Sequence, residues 1–221
     1  MKNITISKEL LAVNPNITLL CFTYSVKVER ENAKVWEQIN GVTIPEVEKK
    51  YTLENLSEMV EIAAARETYK ALGKEPSRYR VSSEALMRRI LQGKGLYKVN
   101  NVVDFNNLVS IESGLSCGSY DLDKLEGGLE FRIGKAGEEY KGIGKEMINI
   151  ENLPVFADEM GTYGSPTSDS ERSMITSETK NVMTVMISFS GREVLEKNAE
   201  RVEEWLREML GVEANQVKNF T

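Results

Sequence analysis

The sequence predicts an α+β fold, with mixed and antiparallel sheets flanked by helices. Three observations predict it. The patterns run strand, helices, several short strands, helix, which is not the alternation of a parallel winding. The period changes at Leu129, from helical stripes to short apolar runs between glycines. The chain has 221 residues, 41% hydrophobic and 28% charged, enough for a buried core without staples. One domain over residues 1–221 is expected, with no repeats and no low-complexity linker.

Each element has its own warrant. "ITLLCFTYSVKV" alternates, putting Leu20, Phe22, Tyr24, Val26 and Val28 on one face of a strand. "NAKVWEQI" predicts a helix that turns Val35, Trp36 and Ile39 inward. Thr52 is expected to cap a long helix with the stripe Leu56, Val60, Ala63 and Ala64, ended by Gly73 and Pro76. Ser82 is expected to cap "SEALMRRILQ", with Leu86 and Ile90 inward, Arg88 and Arg89 outward, and Gly93 as the stop. "NVVDFNNLVSIESGL" and "SYDLDKL" each begin polar and turn apolar, so both read as capped starts, the second on Asp121. "LEFRI", "EMINI" and "PVFAD" read as short strands with turns at Gly134, Gly137, Gly142 and Gly144. "GTYGSPTSDSERS" reads as an aperiodic polar loop, and "VMTVMISF" as a central strand. After Gly191 a last helix carries Leu195, Val202, Trp205 and Met209 on one stripe.

Composition excludes several classes. No apolar run reaches bilayer length, so no membrane partner is expected; the start "MKNITISKELLAVNPN" lacks a continuous apolar segment and a small-residue cleavage site, so no export signal is expected. Cys21 and Cys117 stand far apart, which points to a reducing cytoplasm. There is no histidine, so Ser-His-Asp and Cys-His sites and histidine zinc sites are out; no metal and no cofactor are expected. Proton transfer falls to a shifted carboxylate, Lys, Tyr, Cys or the substrate. The net charge of −6 argues against extended nucleic-acid binding. Yet Arg66–Lys98 holds nine basic against three acidic residues. Arg78, Arg80, Arg88, Arg89 and Lys94 are therefore candidate phosphate contacts, with solvated helix faces as the alternative.

Three groups are candidates for chemistry or recognition. Asn100, Asn101, Asp104, Asn106 and Asn107 can cap a helix or contact a ligand, Asn100 and Asn107 being the substrate-binding candidates. In "SCGSYD", Gly118 serves either a tight turn or close approach to a ligand; in the second case the amides of Gly118 and Ser119 would stabilise an oxyanion. In the polar loop, Asp169 could hold an α-ammonium group and Arg172 a phosphate or carboxylate, or the loop is a solvated turn.

The run "VVDFNNLVSIESGLSCGSYDLDKLEGGLEFR" resembles the editing region, the B3/4 domain, of the beta subunit of bacterial phenylalanyl-tRNA synthetase. The elements that match are Val103, Asp104 and Asn107, then Gly114, Tyr120, Asp121, Asp123, Gly127 and Gly128, continuing through "GEEY", "VFAD" and "TSETKNVM" over roughly residues 60 to 190. The resemblance implies a pocket for the aminoacylated 3′ end of a tRNA and hydrolysis of a wrong aminoacyl ester in trans. Where the family usually has an arginine stands Tyr97, and where it has a histidine stands Gly118. A Gly-Gly pair falls near Asp169 and Ser170, and a glutamate that reads a tyrosine hydroxyl falls near Val185. The expected selectivity is therefore not for tyrosine, with Tyr97 and Ser170 added to the substrate-binding set. The alternative is a non-catalytic module that holds an amino acid or a tRNA end. The amino acid, the tRNA and the oligomeric state are left open by the sequence.

Overall fold

The computed structural model describes residues 4–213 and the backbone of 215–217. The strands are β1 (Ile4–Ile6), β2 (Thr18–Ser25), β3 (Ser116–Asp121), β4 (Leu129–Ile133), β5 (Glu139–Lys141), β6 (Met147–Asn149), β7 (Pro154–Asp158), β8 (Gly161–Gly164), β9 (Asn181–Ser188) and β10 (Asn215–Val217). The longer helices are α1 (Lys8–Val13), α2 (Ala33–Gln38), α3 (Ile44–Lys50), α4 (Val60–Ala71), α5 (Ser82–Leu91), α6 (Asn101–Ser113) and α7 (Glu193–Trp205).

Alternation along β2 decides the layering. Leu19 and Cys21 enter one core while Leu20, Phe22 and Tyr24 enter another, because successive strand residues point to opposite faces. Sheet II, in the order β10-β2-β9-β3, is antiparallel throughout. Sheet I, in the order β1-β4-β7-β8, is antiparallel except for the parallel pair β1 and β4. Between the sheets lies a core of Phe131, Phe156, Tyr163, Tyr120, Met183 and Val185. On its other face sheet II packs α2, α6 and α7 through Trp36, Phe105, Leu108, Leu195 and Val202. The α+β expectation therefore holds, and β9 is an interior strand as its continuous apolar run predicts.

Four local expectations are corrected. The helix expected from Thr52 starts at Val60, after an extended Met59, and Thr52 instead exchanges hydrogen bonds with Asn55. That break rotates the buried stripe to Ile62, Ala65, Thr68 and Tyr69 and leaves Val60 exposed. At α5 the N-cap is Val81, and Ser82 is already the first helical residue. "SYDLDKL" is the end of β3 followed by a single 3₁₀ turn (Leu122–Lys124), capped by Asp121 as expected. "GTYG" is strand β8, not loop. Among the described residues no helix is long and apolar enough to cross a membrane.

Candidate functional site

The candidate site is built on β3, the edge strand of sheet II, and on α6 beside it. Register places Gly118 directly opposite Val185. The two positions where the resemblance expects a histidine and a glutamate are thus cross-strand neighbours on the inner face. Tyr120 lies along this face. A Cβ at Gly118 would stand 2.6 Å from Tyr120 Cζ, and one at Gly164 would stand 2.6 Å from Tyr120 Oη and 2.7 Å from Asp169 Oδ1. Two glycines therefore open a slot that the Tyr120 phenol fills. Gly118 has strand geometry and serves this close approach rather than a positive φ.

At the end of the slot the Tyr120 hydroxyl donates to Asp169 Oδ1 at 3.0 Å, and the Ser165 amide donates to the same oxygen at 3.4 Å. Burial pushes the Asp169 carboxyl up to about 7, against the opposing pull of Tyr120, Ser165 and the Lys145 charge. Of the two alternatives for this loop, the solvated turn is overturned here. Tyr69 bonds the Thr167 hydroxyl at 2.9 Å, Tyr140 donates to the Ser168 carbonyl, and the Ser165 hydroxyl donates to that carbonyl at 2.7 Å. Ser170 is buried and caps the turn Glu171–Ser173. Arg172 is held by both oxygens of Asp158, at 2.9 and 3.1 Å, and by the carbonyls of Lys124 and Gly161.

The outer face of sheet II carries a second polar chain. Ser119 donates to Asn106 Oδ1 at 3.1 Å and lies 2.8 Å from the Thr184 hydroxyl, which lies 2.9 Å from the Tyr24 hydroxyl. Asn106 also donates to the Cys117 carbonyl at 3.1 Å, so Cys117 turns its backbone groups away from β9. Strand alternation then points Gly118 N–H towards β9 and Ser119 N–H outward. Adjacent amides with opposite directions do not converge on one oxygen, which corrects the Gly118–Ser119 oxyanion pair. Burial pushes the Cys21 thiol up to about 12 and the Cys117 thiol up as well, leaving neither a ready nucleophile.

The remaining candidates are distributed around α5 and α6. Asn100 is the N-cap of α6, accepting from Val103 N–H at 2.9 Å. Asp104 accepts from Val99 N–H at 2.9 Å and from the Trp36 indole at 2.7 Å, so its role is structural. Asn107 is half-buried two turns into α6. Arg88 does not point outward: it donates at 2.8 Å to Glu84, a fully buried carboxylate also held by Arg66 at 2.9 and 3.1 Å and flanked by Arg80 at 3.7 Å. Arg89 donates to the Gly95 carbonyl at 3.0 Å and lies over the Tyr97 ring, while Arg78 and Lys94 are exposed. Sequence reading gave no site role to Tyr120, Gly164 or Glu84. Tyr120 stood in the run that matches the family, and Glu84 carried a signal as a carboxylate four residues before Arg88 on a predicted helix.

Among the described residues two clefts lie away from the slot. One of about 580 Å³ is flanked by Lys50, Glu61, Glu112 and Arg201, and another of about 720 Å³ by Ser25–Val28 and residues 177–180.

The B3/4 domain family model matches residues 64–204, close to the stretch of the expected resemblance. The chain is similar to the phenylalanine–tRNA ligase beta subunit of Fusobacterium nucleatum, 27% identical over 181 residues that make up 79% of this chain and 22% of that subunit. To the same subunit of Vibrio parahaemolyticus it is 30% identical over 155 residues, 68% of this chain and 18% of that one. It thus spans about a fifth of the length of these relatives. An N-terminal fragment of the phenylalanyl-tRNA synthetase beta-subunit from Pyrococcus horikoshii aligns with a TM-score of 0.45 at 12% identity, covering 100% of this chain and 57% of that one. With residues 64–204 matched, the chain belongs to the B3/4 domain family.

Proposed function

We propose that the chain takes the aminoacylated 3′ end of a tRNA and hydrolyses the ester of a mischarged amino acid in trans. One observation carries this reading. Three of the four positions that the resemblance assigns to the family's pocket meet around one slot: Gly118 and Val185 from the inner face of sheet II, and Asp169 from the loop after β8. The amino-acid side chain enters where the Tyr120 phenol lies, and the phenol swings out. Asp169, with its carboxyl near 7, takes a proton from water as the resulting hydroxide adds to the ester carbonyl. The ribose oxygen leaves with a proton, and the free amino acid is released. The slot is apolar where the family's glutamate would stand, at Val185, so selectivity is for side chains other than tyrosine.

The second reading, a binding module without catalysis, is favoured by the filled slot and by the hydrogen bonds that already engage Asp169 and Arg172. A panel of misacylated tRNAs incubated with wild type and Asp169→Asn separates the two. Hydrolysis of some members, slowed roughly 100-fold or more in Asp169→Asn, is expected. Binding of the panel without turnover leaves the module; neither binding nor turnover removes both.

A further inference from the structure

We propose that Tyr97, backed by Arg89, is a stacking ledge for an unpaired nucleobase. The inference rests on the reading of a tRNA end as ligand and names the group that binds it. Tyr97 is 70% exposed although the Arg89 guanidinium covers one ring face at 4.1 Å from the centroid. The opposite face is therefore the open one. A ring backed by a cation on one face and open on the other is a platform on which any base can stack through its π-face.

The ledge is built rather than loose. Arg89 donates to the Gly95 carbonyl at 3.0 Å and to the Lys94 carbonyl at 3.4 Å. The left-handed Gly93 and Gly95, φ +67° and +60°, fold the loop back so that these carbonyls reach it. The guanidinium is thus fixed by the loop it supports, over the Tyr97 ring. A cation behind the ring also suits a strand whose phosphates must lie nearby, and Lys94 and Lys98 are exposed on the same loop.

The test uses a short single-stranded oligoribonucleotide, carrying no amino acid, with 2-aminopurine as its 3′-terminal base. Its fluorescence should be quenched on binding the wild type. Tyr97→Ala should bind about 5- to 100-fold more weakly, and Tyr97→Phe should bind within about twofold of wild type. An abasic oligonucleotide of equal length should bind wild type and Tyr97→Ala alike. Equal affinity of wild type and Tyr97→Ala for the base-bearing strand would overturn the ledge, as would an abasic strand bound as well as the normal one, or no binding at all. Because the probe carries no ester, failure of the hydrolysis reading leaves this result standing, and failure of the ledge leaves hydrolysis of the misacylated panel untouched.

Discussion

At Asp169 two opposing effects meet: burial raises the carboxyl to about 7, while the Tyr120 hydroxyl, the Ser165 amide and Lys145 favour its charged form. The facing tyrosines, Tyr120, Tyr140 and Tyr163, are themselves pushed up by burial and stay neutral across the same range. Because the folded carboxyl holds its proton more tightly than the unfolded one, its contribution to stability is complete below about pH 4. It declines as pH rises through the ordinary carboxylate range and is lost above about pH 7. The full difference is on the order of 4 kcal/mol. Urea midpoints between pH 4.5 and 8 should fall for wild type, and Asp169→Asn should lack this fall; parallel curves would show that Asp169 is solvated. Why the sequence hid this is physical. "SPTSDSERS" has the composition of a solvated turn, and only the tyrosines donated from α4, β3 and β5 make it an interior loop. Glu84 was hidden likewise, because a buried carboxylate needs arginines that arrive from Arg66 on another helix as well as from its own.

Elements read by alternation were legible; elements whose start depends on a single residue were not. β2 kept the faces that its alternation assigns, because a strand exposes its two sides by geometry alone, and β9 kept the interior place that its continuous apolar run assigns. α4 did not, because the extended Met59 resets the helical phase, and Met59 in turn packs its Cε beside Gly114, the left-handed end of α6. The site shows the same division. The match over residues 101–132 could be read from spacing, but the slot forms only where β3 and β8 bring Gly118 and Gly164 to either side of one phenol. Gly118→Ala tests that account. The added methyl would overlap Tyr120, either expelling the ring from the slot or breaking its bond to Asp169, at a cost of roughly 1–3 kcal/mol. In the Tyr120→Ala background the same Gly118→Ala methyl should cost much less, since the ring it would overlap is gone. Thermal melting of the four proteins measures the coupling, and strictly additive losses would mean that Gly118 and Tyr120 do not share the slot.

Across the whole molecule, charge is distributed unevenly: residues 66–98 carry +6 in a chain whose net charge is −6. Counting basic residues overstates what this surface offers a polyanion. Arg66, Arg80 and Arg88 surround the buried Glu84, and Arg89 is spent on backbone carbonyls and Tyr97. Arg78 and Lys94 are the exposed members of the expected set. Arg88→Glu would set a second carboxylate beside a buried one, so lost binding in that variant would report unfolding rather than a lost phosphate contact. The informative variant is Arg78→Ala with Lys94→Ala, in which neither side chain supports the core. If tRNA lies on this surface, each phosphate contact removed should lower the slope of log affinity against log salt by about one, so the pair should lower it by about two. The preference among aminoacyl groups should stay the same, because phosphates position a nucleic acid without reading what is attached to its end. Fluorescence anisotropy of labelled tRNA across a salt series gives both quantities. A slope equal to that of wild type would place the tRNA on another face of the molecule and leave the basic stretch as a solvated surface held in shape by Glu84.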